Sequence, residues 1–199
     1  MTTRSITRAS FLAAMLGAGV LAAQRLGHKA RIFVPSIASP AKIARIKSYG
    51  ADLVVGGERY VDALSECERF IASSGALSVH AYDAEKTLLG QGNGGLELER
   101  QLGAFDTLFV AVGGGGLIGG IAAYVKRIRP EIRVIGVEPT DSDAMARSLV
   151  AGERVVLDHV GLFADGVAVR QVGEETFRLA RELVDDVVLV DTDDACAAI

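Results

Sequence analysis

Short apolar runs alternate with amphipathic stretches along most of the chain. Runs at 31–34, 52–55, 107–112, 133–137 and 187–190 are rich in Val, Ile, Leu and Phe, the pattern of strands buried on both faces. A shorter run at 77–80 reads as one more strand. Between them the apolar positions recur at helical spacing, predicting helices over 39–50, 60–74, 85–102, 142–150 and 174–183, one after residue 116, and another opening at 191–199. Residues 21–27 read as the end of a helix with Gly27 as its cap. Ser39 followed by Pro40 has the form of a helix start, with the serine as N-cap and the proline in the first turn. Alternation of this kind predicts an α/β protein: parallel sheets covered by helices, right-handed crossovers, and ligands beyond the carboxyl ends of the strands.

One segment sits where such a ligand would sit. Gly113, Gly114, Gly115 and Gly116 follow the apolar run at 107–112 and lead into Leu117 and an Ala/Ile-rich helix. Four glycines make a poor strand and a poor helix, but they let backbone N–H groups converge with no Cβ in the way. At a helix start those groups, aided by the helix dipole, suit a phosphate. A dinucleotide reading competes, because Gly114, Gly116 and Gly119 fit G-x-G-x-x-G and Glu138 ends the next strand. That match is inexpensive for a run of four glycines, and three strands precede it where the usual fingerprint opens the fold. Taken outside that reading, Glu138 is a solvated strand end.

Composition narrows the partners. The 199 residues are 50% hydrophobic with a net charge of −4 and a pI near 5.4, enough core for one domain or two small lobes and the wrong sign for nucleic acid. Cys67 and Cys196 have no CxxC spacing, which argues against a zinc site and for a reducing, cytoplasmic setting; Cys196 reads as a packing residue. His28, His80 and His159 are scattered and read as structural or surface residues. Arg4 and Arg8 precede an apolar stretch at 11–23 that has the outline of a secretory signal but is too short for a membrane span. The favoured reading of that stretch is a buried helix, with 1–19 an atypical segment.

The motifs around the glycines resemble one family. Gly113-Gly114-Gly115-Gly116-Leu117 after an apolar strand resembles the phosphate loop of fold-type II pyridoxal-phosphate enzymes. Gly90-Gln91-Gly92-Asn93 resembles the Gly-Gln-Gly-Thr segment of the serine/threonine dehydratase branch, and Val137-Glu138-Pro139 its strand end. The strings Gly161-Leu162-Phe163-Ala164-Asp165-Gly166, Glu175-Thr176-Phe177-Arg178 and Asp194-Ala195-Cys196-Ala197-Ala198 are similar to the biosynthetic threonine ammonia-lyases. The resemblance covers roughly 21–199 and implies a two-lobed fold, with a partial small lobe at 20–79 and a partial large lobe at 80–199.

It implies pyridoxal 5'-phosphate as cofactor and a small amino-acid substrate, with threonine or serine converted to a 2-oxo acid and ammonia, as in isoleucine biosynthesis. Gly113, Gly114, Gly115, Gly116 and Leu117 would hold the cofactor phosphate, and Gly161, Phe163, Ala164 and Gly166 would lie near the ring and substrate. It also implies a homo-oligomer in the full-length family, or a partner chain that supplies the missing half, and no membrane or nucleic acid. The cofactor-bearing lysine of the family stands in a Ser-Phe-Lys motif upstream of Leu26-Gly27, and the 199 residues hold no such motif. Where the family has Ser-x-Gly-Asn-His, this chain reads Leu16-Gly17-Ala18-Gly19. Lys29, Lys42, Lys47, Lys86 and Lys126 fall elsewhere in the pattern and read as solvated. The expectation is that these residues retain the cofactor-holding part of a site and lack the part that drives the reaction.

Overall fold

A computed structural model describes residues 20, 23–161 and 163–198. The signal-like stretch and the Leu16-Gly17-Ala18-Gly19 string lie outside the described residues. The chain divides into two compact units, Met1–Ser78 and Val79–Ile199.

In the first unit a helical end at 23–25 closes on Gly27, whose φ of +76° is the left-handed cap the sequence asks for. Strands β1 (Arg31–Val34) and β2 (Asp52–Val55) pair in parallel, from Arg31 opposite Asp52 to Val34 opposite Val55. Helix α1 (Pro40–Ser48) joins them, and the Ser39 hydroxyl accepts from the Lys42 N–H as predicted. Helix α2 (Tyr60–Ser74) follows, with the Phe70 and Phe33 ring centroids 5.8 Å apart and the Arg31 guanidinium 4.3 Å from the Phe70 ring centre.

The run at 77–80 is not a strand. Leu77 and Val79 are about three-quarters exposed, and among the described residues no strand pairs with the segment. Apolar composition alone cannot make a strand where the ladder has no partner.

The second unit is built on a three-stranded parallel sheet of order β3-β4-β5: Thr107–Ala111, Arg133–Pro139 and Asp186–Val190. The register sets Val110 against Gly136 and Gly136 against Val187. Helix α3 (Glu85–Gln101) precedes β3, and α4 (Gly116–Ile128) follows it. Helix α5 (Ala144–Ala151) comes after β4, α6 (Glu174–Leu183) leads into β5, and a short α7 (Thr192–Ala197) comes last. The core collects Val110, Val112 and Val134 from the sheet with Ile118, Ile121 and Phe177 from α4 and α6. Helices α3 and α4 approach closely because Gly92 lies over Gly120: a Cβ on Gly120 would stand 2.6 Å from Gln91 Cβ and 2.9 Å from the Gly92 nitrogen. The Gly90-Gln91-Gly92-Asn93 segment lies within α3, and the packing requirement falls on Gly120, since a Cβ on Gly92 would come no nearer than 3.3 Å to the Gly120 carbonyl oxygen.

Two single-residue expectations change. Lys126 is not a solvated lysine: its ammonium pairs with Asp185 at 2.7 Å and donates to the Ile132 carbonyl at 2.7 Å, since α4 brings it to the turn that enters β4. Cys196 is exposed and does not pack, because α7 buries none of its residues.

Candidate functional site

The glycine run leaves the sheet at the carboxyl end of β3. Val112, 1% exposed, extends the ladder by one bond from its N–H to the Val137 carbonyl, and the chain then turns through 113–115 into α4. Gly115 is the N-cap residue with φ +90°, a conformation that disfavours any residue with a Cβ. A Cβ there would also stand 2.7 Å from Met145 Cε and 2.8 Å from Thr176 Cβ. Gly114, Gly115 and Gly116 are buried. Among the described residues no acceptor meets the N–H groups of Gly113, Gly114, Gly115, Gly116 or Leu117. Buried backbone donors are nearly always paired, so a row of them at a helix start is a place made for an anion.

The walls of the run come from segments distant in sequence. Tyr82 lies over Gly114 and Gly116, and a Cβ on Gly116 would be 2.9 Å from Tyr82 Cα. The backbone of Val167 closes on Gly113, where a Cβ would be 2.9 Å from Val167 Cα. Burial, with the Asp83 charge adding to it, pushes the Tyr82 phenol upward. The Gly114 carbonyl accepts from the Thr176 hydroxyl at 2.6 Å and from the Gly173 N–H at 3.3 Å.

Tyr82 is held by its own turn. His80 Nδ1 accepts from the N–H groups of Tyr82 at 3.3 Å and Asp83 at 2.9 Å, and the two rings stack edge to face at 5.0 Å. Asp83 in turn caps α6: its carboxylate accepts from the N–H groups of Glu174, Glu175 and Thr176 at 2.8, 3.0 and 3.3 Å. His80 is thus structural, as the sequence reading has it.

Glu138 differs from its expectation. It is fully buried, and its two oxygens accept from Met145 N–H at 2.9 Å and Ala146 N–H at 2.8 Å, the opening donors of α5. Burial pushes its carboxyl up to about 7, against the pull of those two bonds and with the Asp143 charge adding to it. A carboxylate so engaged is not offered to a ribose.

The segment after β4 meets the run through its last residue. Gly161 donates to the Asp141 carbonyl at 2.8 Å and sits against the Asp141 carboxylate; Val167 donates to the Ala164 carbonyl at 2.9 Å and accepts from the Ser142 hydroxyl at 3.3 Å. Phe163 is 58% exposed, Ala164 is half-buried and Gly166 is exposed; Leu162 lies outside the described residues. Sequence reading missed Tyr82, Asp83 and Thr176. Of these only Thr176 stood in a string noted for its resemblance, and none carried a chemical motif.

Residues 17–199 match the family described as pyridoxal-phosphate dependent enzymes. The chain belongs to that family. Its members depend on pyridoxal phosphate, and the glycine run fits the phosphate of that cofactor by its unpaired N–H groups at the start of α4. The family also leaves the dinucleotide reading of Gly114, Gly116 and Gly119 without support, in agreement with the buried Glu138. The chain is 49% identical over 181 residues to the biosynthetic L-threonine dehydratase of Burkholderia multivorans, a match covering 89% of this chain and 36% of that one. Among solved structures it is similar to the processed form of threonine deaminase isoform 2 from Solanum lycopersicum, with a TM-score of 0.82 and 39% identity over 89% of this chain and 52% of that one. It is also similar to maize serine racemase, with a TM-score of 0.85 and 34% identity over 92% of this chain and 55% of that one. The chain thus spans about a third of the length of the curated relative and about half that of the solved structures.

Proposed function

We propose that this chain supplies the phosphate-holding part of a pyridoxal-phosphate enzyme that dehydrates and deaminates threonine, or serine, to a 2-oxo acid and ammonia. The single observation that carries the reading is the row of unpaired N–H groups at Gly113, Gly114, Gly115, Gly116 and Leu117, set between β3 and α4. These groups bind the phosphate, and the α4 dipole adds to their pull. The cofactor, once held, supplies an electron sink for the pair left when the substrate Cα loses its proton. Tyr82 and Val167 pack against the run from two sides. Gly161, Phe163, Ala164 and Gly166 stand in the segment that ends at Val167, which supports a role near the ring and substrate. The identities among solved structures support threonine over a racemase substrate: 39% to the threonine deaminase against 34% to the serine racemase.

A cytoplasmic, homo-oligomeric enzyme, or a partner chain that completes the site, belongs to the same reading. Among the described residues both cysteines are unbridged, and no helix is long and apolar enough to cross a membrane.

A chimera tests it. Residues 20–198 replace the matching stretch of the Burkholderia multivorans enzyme, and 2-oxobutanoate release from threonine is measured. Release is expected in the chimera, and Gly115→Ala within it is expected to lower release at least tenfold by obstructing the cradle, roughly the effect of losing one oriented backbone donor. A folded chimera that binds pyridoxal phosphate yet releases no 2-oxo acid would overturn the reading. The 199 residues alone, without the family's lysine motif, are expected to release none.

A further inference from the structure

We propose that Thr176 is a positioning residue for the anion cradle, its hydroxyl locking the Gly114–Gly115 peptide so that the Gly115 N–H faces the phosphate. The inference rests on the glycine run being that cradle. A run of four glycines is permissive in φ and ψ, so a peptide between two of them can rotate at little steric expense. Something outside the run must choose its orientation.

Thr176 is placed to do so. It is fully buried, at 0% exposure, and its hydroxyl donates to the Gly114 carbonyl at 2.6 Å, with the Gly173 N–H on the same oxygen at 3.3 Å. No cis peptide occurs among the described residues, so the Gly115 N–H points opposite to the Gly114 carbonyl. Holding the carbonyl toward α6 therefore turns the next N–H away from α6. The lock has its own support: the Thr176 N–H meets Asp83 Oδ1 at 3.3 Å, and the Asp83 N–H meets His80 Nδ1 at 2.9 Å. A threonine on a helix divides between two main rotamers, so with its backbone held the bond to the Gly114 carbonyl selects one of them. The pairing is also mutually enforced, because a buried hydroxyl and a buried carbonyl each lose by parting.

The test is a titration of the 15N-labelled 199-residue chain with inorganic phosphate and with pyridoxine 5'-phosphate, which has no aldehyde and so cannot couple to lysines. In the parent chain, amide shifts are expected at 113–117. Thr176→Val keeps the shape and removes the donor, and is expected to raise Kd for both probes about tenfold, the scale of one buried hydrogen bond. Thr176→Ser restores the donor and is expected to bring Kd back to within about twofold of the parent, by the same bond. Thr176→Ala takes the place of Thr176→Val if the valine is not accommodated. A purely structural role would lower the melting temperature and leave the Kd of the folded chain unchanged. Equal Kd in the parent and the donor-less variant would overturn the positioning role alone, and absence of shifts at 113–117 in the parent would overturn the cradle itself.

Discussion

Glu138 shows how far one residue's surroundings can move its chemistry. At the end of a strand it reads as a solvated acid, yet it is fully enclosed and its two oxygens are taken by the first N–H groups of α5. Burial raises its carboxyl from the ordinary 4.5 to about 7. The folded chain therefore keeps a proton that the unfolded chain releases between those values. Stability contributed by Glu138 is complete below about 4.5, declines as pH rises toward 7, and is level above. The decline is of order 3 kcal/mol at most, at about 1.4 kcal/mol per pKa unit. Glu138→Gln is expected to flatten it, as read from hydrogen exchange of the β4 amides across that range. A slope that persists in the glutamine variant would assign the pH dependence to other groups. Met145, whose N–H Glu138 holds, also touches the Gly115 position, so this acid borders the glycine run without facing it.

At the scale of elements, α6 depends on a residue nearly half the chain away. Asp83 accepts from three N–H groups of its first turn, where Gly173 as N-cap residue offers no side chain. Asp83→Ala is expected to destabilise that turn by about 1–3 kcal/mol, on the scale of a lost helix cap with charged acceptor bonds. Faster hydrogen exchange at 174–177, with the β3 amides unchanged, is the signature; unchanged exchange there would show the cap to be dispensable. This contact also explains what the sequence could and could not reveal. Strands β1 to β5 and the helices between them were legible because short β-branched apolar runs and the 3.6-residue period are local patterns, although the expected burial on both faces does not hold: Phe109 and Val55 stay exposed. The glycine run was legible because four residues without side chains advertise close backbone approach. The bracket of His80, Asp83, Thr176 and Gly114 was not, since its bonds join residues up to 93 positions apart and no local pattern encodes them. The 77–80 run misled for the converse reason: its local pattern suits a strand, but the fold gives it no partner.

On the scale of the whole molecule, the second unit carries the glycine run at one end of a parallel sheet and leaves apolar surface on one of its faces. Phe109 is 65% exposed and Val188 42% exposed, and the register puts both on the same face, on the two outer strands. Outer strands with exposed apolar side chains invite association. Phe109→Thr is expected to raise the concentration at which the chain stays monomeric in sedimentation or light scattering; no change would show that this face is not what associates. The long reach of the Thr176 bond has a consequence in time. Ribosomal synthesis delivers the glycine run 62 residues before the hydroxyl that holds it. A nascent chain paused after β4 would already own the loop, but not its orientation. On the proposed role of Thr176, cofactor capture during translation therefore waits for α6 to emerge.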